Sequence, residues 1–434
     1  PVPRPRRLRV SRPWDNIPTR LETPPGALRV LVLSHMFPHP DQPSSGTFVH
    51  EQVKALRVEG GVDARVLVGR PFWMTTRHPL RLWQGNASWR RHHDEARWYL
   101  YDGIPVQYLP YRIFGPWFTH GWSYARTMIR SIEQLHREFP FDIIHAHTGY
   151  LDGSAGREIS RRLNKPLILT EHTGPFSMLM KNPIIRRRTL RSLSAASRVI
   201  AVSHAQEAAI AQYWAPNRRD QMVVVPNLVD TLQFHPPQEW RPDPAAPRIL
   251  FVGGFVPIKA LPVLLDALVK VRERLPAANL TLVGGGENQA QEDTLHADIA
   301  ARGLSEAARV LGHQGRREIA RLMREECDIL VLCSHSETFG CVLIEALASG
   351  KPVVATRCGG PQDIVTDDSL GRLCPTNDPQ ALADAIMDVA SRLPAFDSAR
   401  IRDYAVSRFS QSATATTIVN HYQTVLGERS MARP

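Results

Sequence analysis

The sequence predicts an α/β protein in which two doubly wound parallel sheets face a central cleft. Short apolar runs alternate with helix-period segments, the alternation stops at a Pro-rich stretch, and it then restarts. The chain has 434 residues, which is enough for more than one domain. We expect the cleft between the sheets to hold the functional site, because ligands of open α/β sheets bind at the carboxyl ends of the strands.

The predicted strands before the Pro-rich stretch are nearly continuous apolar runs, as expected for strands buried on both faces. They are residues 28–36, 64–69, 106–111, 142–147, 166–172, 198–203 and 222–227. Helix-period segments separate most of them, for example 48–59 and 203–214. Residues 72–100 are dense in Trp, Arg and His and fit neither element. We interpret them as an insertion or lid beside the cleft or, equally, as a packed surface excursion.

Residues 227–247 are rich in proline and polar residues and have no sustained periodicity. The alternation then restarts with a helix over 261–275 and strands at 248–254, 279–286, 309–313, 328–334 and 352–358. The predicted organisation is a basic Pro/Arg-rich leader over 1–26, a Rossmann-like domain over 27–235, a linker over 236–247, a second Rossmann-like domain over 248–408, and a C-terminal helix over 409–434.

The composition excludes several classes of protein. Hydrophobic residues make up 43% and charged residues 22% of the chain, which is ordinary for a soluble globular protein. No apolar run is long enough to predict a membrane-spanning helix, and no apolar segment follows the basic first residues as in a secretory signal. The five cysteines include no C-x-x-C pair, which argues against a disulfide framework and a zinc site. We therefore expect a cytoplasmic protein.

The net charge of +11 is unevenly distributed. Residues 1–220 hold 32 Lys and Arg against 17 Asp and Glu, a net charge of +15, and the remainder holds 21 against 25, a net charge of −4. A basic first part can face nucleic acid, an anionic membrane surface or a phosphate-bearing ligand, or it can simply be a solubilising surface. No nucleic-acid-binding module is recognisable, so we expect no nucleic-acid partner.

The strongest motif spans residues 335–360. A predicted strand ends just before it, Glu337 lies in the following loop, and a helix carrying Glu345 begins near Gly340. The start of a helix offers free backbone N–H groups and a partial positive charge, which suit a diphosphate. Gly340 lets the backbone approach such a ligand closely. A carboxylate in the first turns can accept hydrogen bonds from vicinal hydroxyls, as on a ribose.

This segment resembles the E-x7-E signature of family 4 glycosyltransferases, with their following G-x-P-V-V-A-T strand and Gly-Gly loop. The resemblance implies a retaining enzyme of the GT-B fold that transfers a sugar from a UDP- or GDP-sugar to an acceptor. It implies that Glu337 binds the sugar hydroxyls and Glu345 the ribose. The remaining donor-binding positions that it implies here are Thr338, Phe339, Gly340 and Cys341.

Residues 251–268 resemble the family's G-R-L-x-x-x-K-G pattern. The chain keeps Gly253 and Lys259, but has Gly254 where the family usually has Arg and Ala260 where it usually has Gly. Lys259 is then the main cation opposite the leaving diphosphate, and one charged contact is unaccounted for. This departure keeps open an alternative in which the chain is a catalytically silent GT-B protein, acting as a scaffold or partner of an active transferase.

Three further segments resemble parts of the family's donor pocket. Gly285 and Glu287 lie in a Gly-rich turn after a strand, and His313 follows a strand end that commonly faces the base. Gly46 lies in a loop that approaches the donor diphosphate in the family, although a helix N-cap explains it equally well. His172 matches the histidine that the family places beside the donor's anomeric carbon, whereas a lone histidine is more often structural.

A basic run over 181–191 lies on the side of the acceptor. We expect its arginines, Arg186, Arg187, Arg188 and Arg191, to attract a phosphate-bearing lipid carrier or an anionic membrane, or equally to form a solvated helix face. No D-x-D motif occurs, so no metal cofactor is expected and Lys259 with the helix dipole would neutralise the leaving group. The expected partners are a nucleotide-sugar and a carbohydrate or lipid-linked acceptor. We expect the protein to be cytoplasmic and peripheral on the inner face of the membrane, and to act in exopolysaccharide or glycolipid assembly.

Overall fold

The computed structural model describes residues 26–39, 42, 45–74, 89–90, 98–114, 120–130, 132–216 and 220–431. The strands are β1 (Arg29–Ser34), β2 (Asp63–Met74), β3 (Trp98–Tyr101), β4 (Ile104–Phe114), β5 (Ile143–Ala146), β6 (Leu167–Glu171), β7 (Arg198–Ala201), β8 (Met222–Val224), β9 (Arg248–Val252), β10 (Asn279–Val283), β11 (Ala308–Val310), β12 (Ile329–Leu332), β13 (Val353–Thr356) and β14 (Gly371–Cys374).

The helices in the same part of the chain are α1 (Thr47–Val58), α2 (His120–Arg130), α3 (Ile132–Glu138), α4 (Asp152–Leu163), α5 (Pro183–Ala195), α6 (His204–Ala211), α7 (Leu261–Arg274), α8 (Gln289–Ala301), α9 (Arg316–Glu325), α10 (Cys341–Ala348), α11 (Pro361–Ile364), α12 (Pro379–Ser391), α13 (Ser398–Phe409) and α14 (Gln411–Met431). Short 3-10 turns lie at Phe176–Met180, Pro257–Lys259 and Leu393–Ala395.

The strands form two sheets, so the predicted α/β fold with two doubly wound sheets is confirmed. The first sheet has the order β3-β4-β2-β1-β5-β6-β7-β8 and is parallel except for β3, which runs antiparallel to β4. The second has the order β11-β10-β9-β12-β13-β14 and is parallel throughout. We call the parts built on β1–β8 and on β9–β14 the first unit and the second unit. The strand order reverses between β1 and β5 and between β9 and β12, where ligands of such sheets bind.

Two strands, β3 and β14, were not predicted, and two, β2 and β4, are longer than predicted. Both are sheet edges, β3 with four half-buried residues and β14 with Gly371 and Arg372 among its four. β3 reads Trp-Tyr-Leu-Tyr within the segment that is dense in Trp, Arg and His, and a glycine and an arginine interrupt β14, so neither stood out as a buried strand. β2 continues to Met74, so the segment over 72–100 begins and ends in strands. Most of the segment interpreted as a lid, residues 75–88 and 91–97, lies outside the described residues. So do residues 1–25 of the predicted leader.

Both faces of the first sheet are buried by helices. Alternate residues of β1 enter different cores, because successive side chains of a strand point to opposite faces. Leu31 and Leu33 belong to one apolar cluster, and Val30 and Val32 to the other. The second cluster also contains Tyr422 of α14, so the last helix of the chain packs on the first unit after the second unit is complete.

The connection between the units has no helix or strand over residues 227–247. Its start is fastened to the second unit by Arg402 of α13. The guanidinium of Arg402 donates to the carbonyl oxygens of Thr231 at 2.9 Å, Phe234 at 2.9 Å and Ala348 at 2.7 Å. No helix within the described ranges has the length and apolar character needed to cross a bilayer.

Candidate active site

A cavity of about 270 Å³ lies between the two units, at the carboxyl ends of their strands. The first unit and the connection contribute Phe48, His172, Val202 and Asn227; the second unit contributes Val252, Lys259, Leu332 and residues 337–342. The structure thus brings together His172, Lys259 and Glu337, which the sequence analysis singled out for catalysis. It adds Thr338, Phe339, Gly340 and Cys341, which were predicted to bind the donor.

An ion pair between Lys259 and Glu337 crosses the second-unit side of the cavity. Lys259 ends a short 3-10 turn, and its Nζ lies 2.6 Å from Oε2 of Glu337. The hydroxyl of Ser334 lies 3.4 Å from the same oxygen. The Glu337 backbone is fixed by a bridge to Gly359, which holds the loop in place before α10. The two side chains remain about one fifth exposed, so a ligand can reach both charges.

The start of α10 forms another part of the wall. Gly340 precedes the helix with φ +104°, a backbone conformation that favours glycine. The first N–H groups of a helix have no acceptor within the helix, and Cys341 and Val342 at the start of α10 line the cavity. An anion in the cavity therefore meets the positive end of the helix dipole as well as the Lys259 ammonium.

Glu345 lies one turn into α10 and is paired before any ligand arrives. Nη1 of Arg316 donates to Oε1 of Glu345 at 2.9 Å, and Nε of Arg316 lies 3.6 Å from Oε1 of Glu51 in α1. Burial raises the pKa of Glu345, and the Arg316 charge opposes that effect. The triad of Glu51, Arg316 and Glu345 therefore joins the two units. The sequence analysis missed Arg316, since no motif marks this arginine among the many in the chain.

His172 follows β6 and enters a stack of histidine rings. Its Nε2 lies 3.1 Å from Nδ1 of His147, and the two rings are 5.3 Å apart and nearly parallel. The buried His145 stacks on His147 and bonds to the Tyr422 hydroxyl at 2.6 Å. His145 and His147 are thus core residues. Burial lowers the pKa of His172 to about 3, so its ring is neutral at physiological pH. Phe48 covers it at 4.6 Å.

The backbone around His172 is fixed by the fully buried Glu171. Oε1 of Glu171 accepts the N–H groups of His172 at 3.0 Å and Thr173 at 2.8 Å, and Oε2 accepts that of Gly149 at 2.8 Å. Burial raises the pKa of Glu171, and the hydrogen bonds from Thr173, Gly149 and His172 act against that rise. This carboxylate positions the loop that carries His172. Sequence reasoning missed it because a glutamate at a strand end has many possible roles.

The remaining predicted donor contacts in the second unit do not line the cavity. Gly253 donates its N–H to Val283 and so links β9 to β10. Gly285 packs so closely on His313 that a Cβ would lie 2.4 Å from the ring. Glu287 and His313 are exposed and, like Gly285, do not line the cavity. A Cβ on Gly254 would meet its nearest atom, of Val256, only at 3.8 Å, so this position has room for a side chain.

Gly46 has a structural reason for being glycine. It is the N-cap of α1 with φ +62°, and a Cβ there would lie 2.3 Å from the carbonyl carbon of Met36. The helix-start interpretation therefore accounts for Gly46. The geometry assigns it no ligand contact.

The four predicted acceptor-side arginines lie on α5 and do not line the cavity. Arg186, Arg187 and Arg191 are exposed, and Arg188 is half-buried. Across the described residues, no three His, Cys, Asp or Glu side chains gather as ligands for a metal.

Known proteins resemble most of the chain. Residues 45–233 match the family model "Glycosyltransferase Family 4", and residues 236–398 match "Glycosyl transferases group 1". The chain is 31% identical over 329 residues to a D-inositol 3-phosphate glycosyltransferase of Mycobacteroides abscessus, covering 70% of each chain. It is 30% identical over 345 residues to D-inositol 3-phosphate glycosyltransferase 2 of Catenulispora acidiphila, covering 74% of this chain and 78% of that one.

Among solved structures, HepE of Anabaena in complex with UDP and glucose matches with a TM-score of 0.67. The match covers 92% of this chain and all of that one at 22% identity, and it therefore supports the fold alone. Family models match both units, and two relatives of 30% identity or more are matched over more than two thirds of their length. The chain belongs to glycosyltransferase family 4 and is a glycosyltransferase of the GT-B fold.

Proposed function

We propose that the chain transfers a sugar from a nucleotide-sugar, with UDP or GDP as the nucleotide, to an acceptor hydroxyl with retention of the anomeric configuration. The observation that carries this proposal is the cavity between the units. One wall combines the Lys259 ammonium with the positive start of α10, and the other presents the neutral ring of His172. The first wall suits a diphosphate, and the second suits an uncharged sugar.

The diphosphate is bound by the second unit and leaves from it. Transfer breaks the bond between the anomeric carbon and the leaving phosphate oxygen, and it forms a bond to the acceptor oxygen. The acceptor proton moves to the leaving phosphate on the same face of the sugar, which gives retention. Lys259 and the amides at the start of α10 stabilise the developing negative charge. In this proposal Glu337, which lines the cavity 2.6 Å from Lys259, accepts hydrogen bonds from the sugar hydroxyls. Glu345, paired with Arg316, accepts them from the ribose.

We propose that no divalent metal takes part in transfer. Lys259 and the helix start already place positive charge where a metal would neutralise the diphosphate. The solved structure of HepE contains UDP and glucose, which supports a nucleotide-sugar donor for this chain. The acceptor proposed here is a carbohydrate or lipid-linked sugar in polysaccharide or glycolipid assembly. The arginines of α5 would hold the enzyme at the anionic inner face of the membrane.

The test is a thermal-shift and hydrolysis screen of UDP-, GDP- and ADP-sugars in EDTA. One donor is expected to stabilise the protein and to be hydrolysed slowly. Lys259→Met is expected to lower turnover about a hundredfold, because it removes a charge that stabilises the leaving group. Lys270→Met, a lysine of α7 that does not line the cavity, is the matched control. Loss of donor binding in EDTA would contradict metal independence, and a product of inverted anomeric configuration would contradict retention.

Gly254→Arg tests the same cavity by a gain of binding. A Cβ at this position would meet no atom closer than 3.8 Å, and the charge-assisted hydrogen bond that an arginine adds is expected to tighten donor binding about tenfold relative to Gly254→Ala. This result would show that the missing arginine weakens donor binding without abolishing it. If neither the wild type nor Gly254→Arg responds to any donor, the transferase proposal fails in favour of the silent scaffold.

A further inference from the structure

A second and larger concave site lies on the helical layer of the first unit, away from the cavity between the units. It is a groove of about 600 Å³ between α2 and α4, closed on one side by Arg188 of α5. None of its lining residues lines the donor cavity. The groove is rich in arginine; the five that line it are Arg126, Arg130, Arg157, Arg162 and Arg188.

The positive charge of the groove is not neutralised from within. Its carboxylates are Glu133 and Glu158. Glu158 forms ion pairs with Arg161 at 2.7 Å and with Arg162 at 3.3 Å. In the part of the chain that the structure describes, none of the ion pairs includes any of the other four groove arginines. The lining of the groove thus holds five arginines against two carboxylates, a net charge of +3 that suits an anionic ligand.

Arg157 is at the centre of this unbalanced charge. It is half-buried on α4, and burial together with the charges of Arg191 and Arg188 lowers its pKa. Holding like charges close together costs free energy, and an anion bound among them removes that cost. Arginine also matches phosphate oxygens with paired N–H donors, which makes phosphate the fitting anion.

The groove also offers a flat apolar surface. Trp122 of α2 is 60% exposed, and the guanidinium carbon of Arg126 lies 5.5 Å from its ring centroid. A groove of this volume has room for an organic portion beside the phosphate. We propose that it binds a phosphate- or diphosphate-bearing ligand independently of the donor. The phosphate belongs either to a lipid headgroup or to a soluble compound.

Binding of inorganic pyrophosphate, measured by titration calorimetry at low ionic strength, tests the site. The double variant Arg157→Gln/Arg188→Gln is expected to bind at least tenfold more weakly than the wild type, which corresponds to about 1.4 kcal/mol. Arg274→Gln, an exposed arginine of the second unit, is expected to have no effect. Lys259→Met removes the cation of the donor cavity, which also suits a diphosphate, and is expected to retain the binding that belongs to the groove.

Arg126→Gln keeps the test valid if the double variant misfolds, because Arg126 is exposed and its replacement disturbs no packed core. It is expected to weaken pyrophosphate binding in part. Binding that is unchanged in both groove variants, or that is lost in Lys259→Met instead, would overturn the proposal.

Vesicle sedimentation separates the two sources of the phosphate. Sedimentation with phosphatidylglycerol but not phosphatidylcholine vesicles, reduced in the groove variants and by pyrophosphate, would support the site with a lipid headgroup as its ligand. Pyrophosphate binding that depends on the groove, without such sedimentation, would support a soluble phosphate compound. Sedimentation and pyrophosphate binding that are both unaffected by the groove variants would overturn the site for either source.

Discussion

Replacing Lys351 with methionine is expected to stabilise the protein at neutral pH. Lys351 lies between α10 and β13 and is fully buried. Its Nζ has no hydrogen-bond partner in the described part of the chain and lies 4.6 Å from the ring centroid of Trp240. The oxygens of Asp328 accept hydrogen bonds from Arg248 and Trp240, so this carboxylate acts on Lys351 only through space.

The size of the effect follows from the pKa of Lys351. Burial lowers this pKa from 10.5 to about 8. Since one pKa unit is 1.36 kcal/mol, the charged amine destabilises the folded state by about 3 kcal/mol at pH 7. The contact between the Lys351 ammonium and the Trp240 ring offsets about 1 kcal/mol of this cost, and Lys351→Met removes that contact. The expected net gain is therefore about 2 kcal/mol, or about 4–8 °C in Tm for a unit of this size.

The gain should depend on pH in one direction. Between pH 8 and 10.5 the unfolded state holds the Lys351 proton and the folded state releases it, so the stability of the wild type rises with pH. The advantage of Lys351→Met should therefore shrink across this window. Urea denaturation followed by circular dichroism from pH 7 to 10.5 measures it, with the exposed Lys181→Met as the control. A variant that is less stable at pH 7, or an advantage that stays constant to pH 10.5, would refute the reasoning.

Three further substitutions test particular contacts. Gly46→Ala should lower Tm far more than Gly61→Ala. The two glycines have almost the same φ, +62° and +61°, and this strain alone costs an alanine about 1–2 kcal/mol at either position, but only at Gly46 would the Cβ also meet backbone atoms. Equal losses of Tm would contradict the clash at Gly46. Ala260→Gly should raise the free energy of unfolding by about 1 kcal/mol in urea denaturation, because Ala260 has φ +53°; a loss would contradict strain there. Arg316→Met should cost about 3–5 kcal/mol by leaving the Glu345 carboxylate buried alone. Adding Glu345→Gln should recover most of this cost in a double-mutant cycle, and additive losses would exclude the coupling.

The fold was accessible from the sequence because its central strands are buried on both faces. Such strands are continuous apolar runs, and those of β1, β5 and β6 are visible without any structure. β14 is interrupted by a glycine and an arginine, and β3 is only four half-buried residues within a segment dense in Trp, Arg and His, so the same rule did not detect them. Edge position alone does not explain the two misses, because the edge strands β8 and β11 were predicted.

The donor side of the cavity could be predicted from the sequence better than the rest of the site, for a geometric reason. Glu337, Gly340 and Cys341 reach the cavity from one loop and one helix start, so their spacing in the chain is also their spacing in space. Lys259 belongs to a second short turn of the same unit. A sequence motif can reveal an arrangement of this kind because its members are close together in the chain and belong to the same local structure.

The contacts that join the two units have no counterpart in sequence spacing. The Ser203 hydroxyl donates to the carbonyl of Thr338 at 2.6 Å, across 135 positions of the chain. Gly174 lies so close to the same residue that a Cβ would come within 1.8 Å of the Thr338 hydroxyl oxygen. Arg316 reaches Glu51 of the other unit. Each contact holds the loop before α10, or the helix beside it, against the first unit. The cavity therefore depends on how the units pack, which only the folded chain reveals.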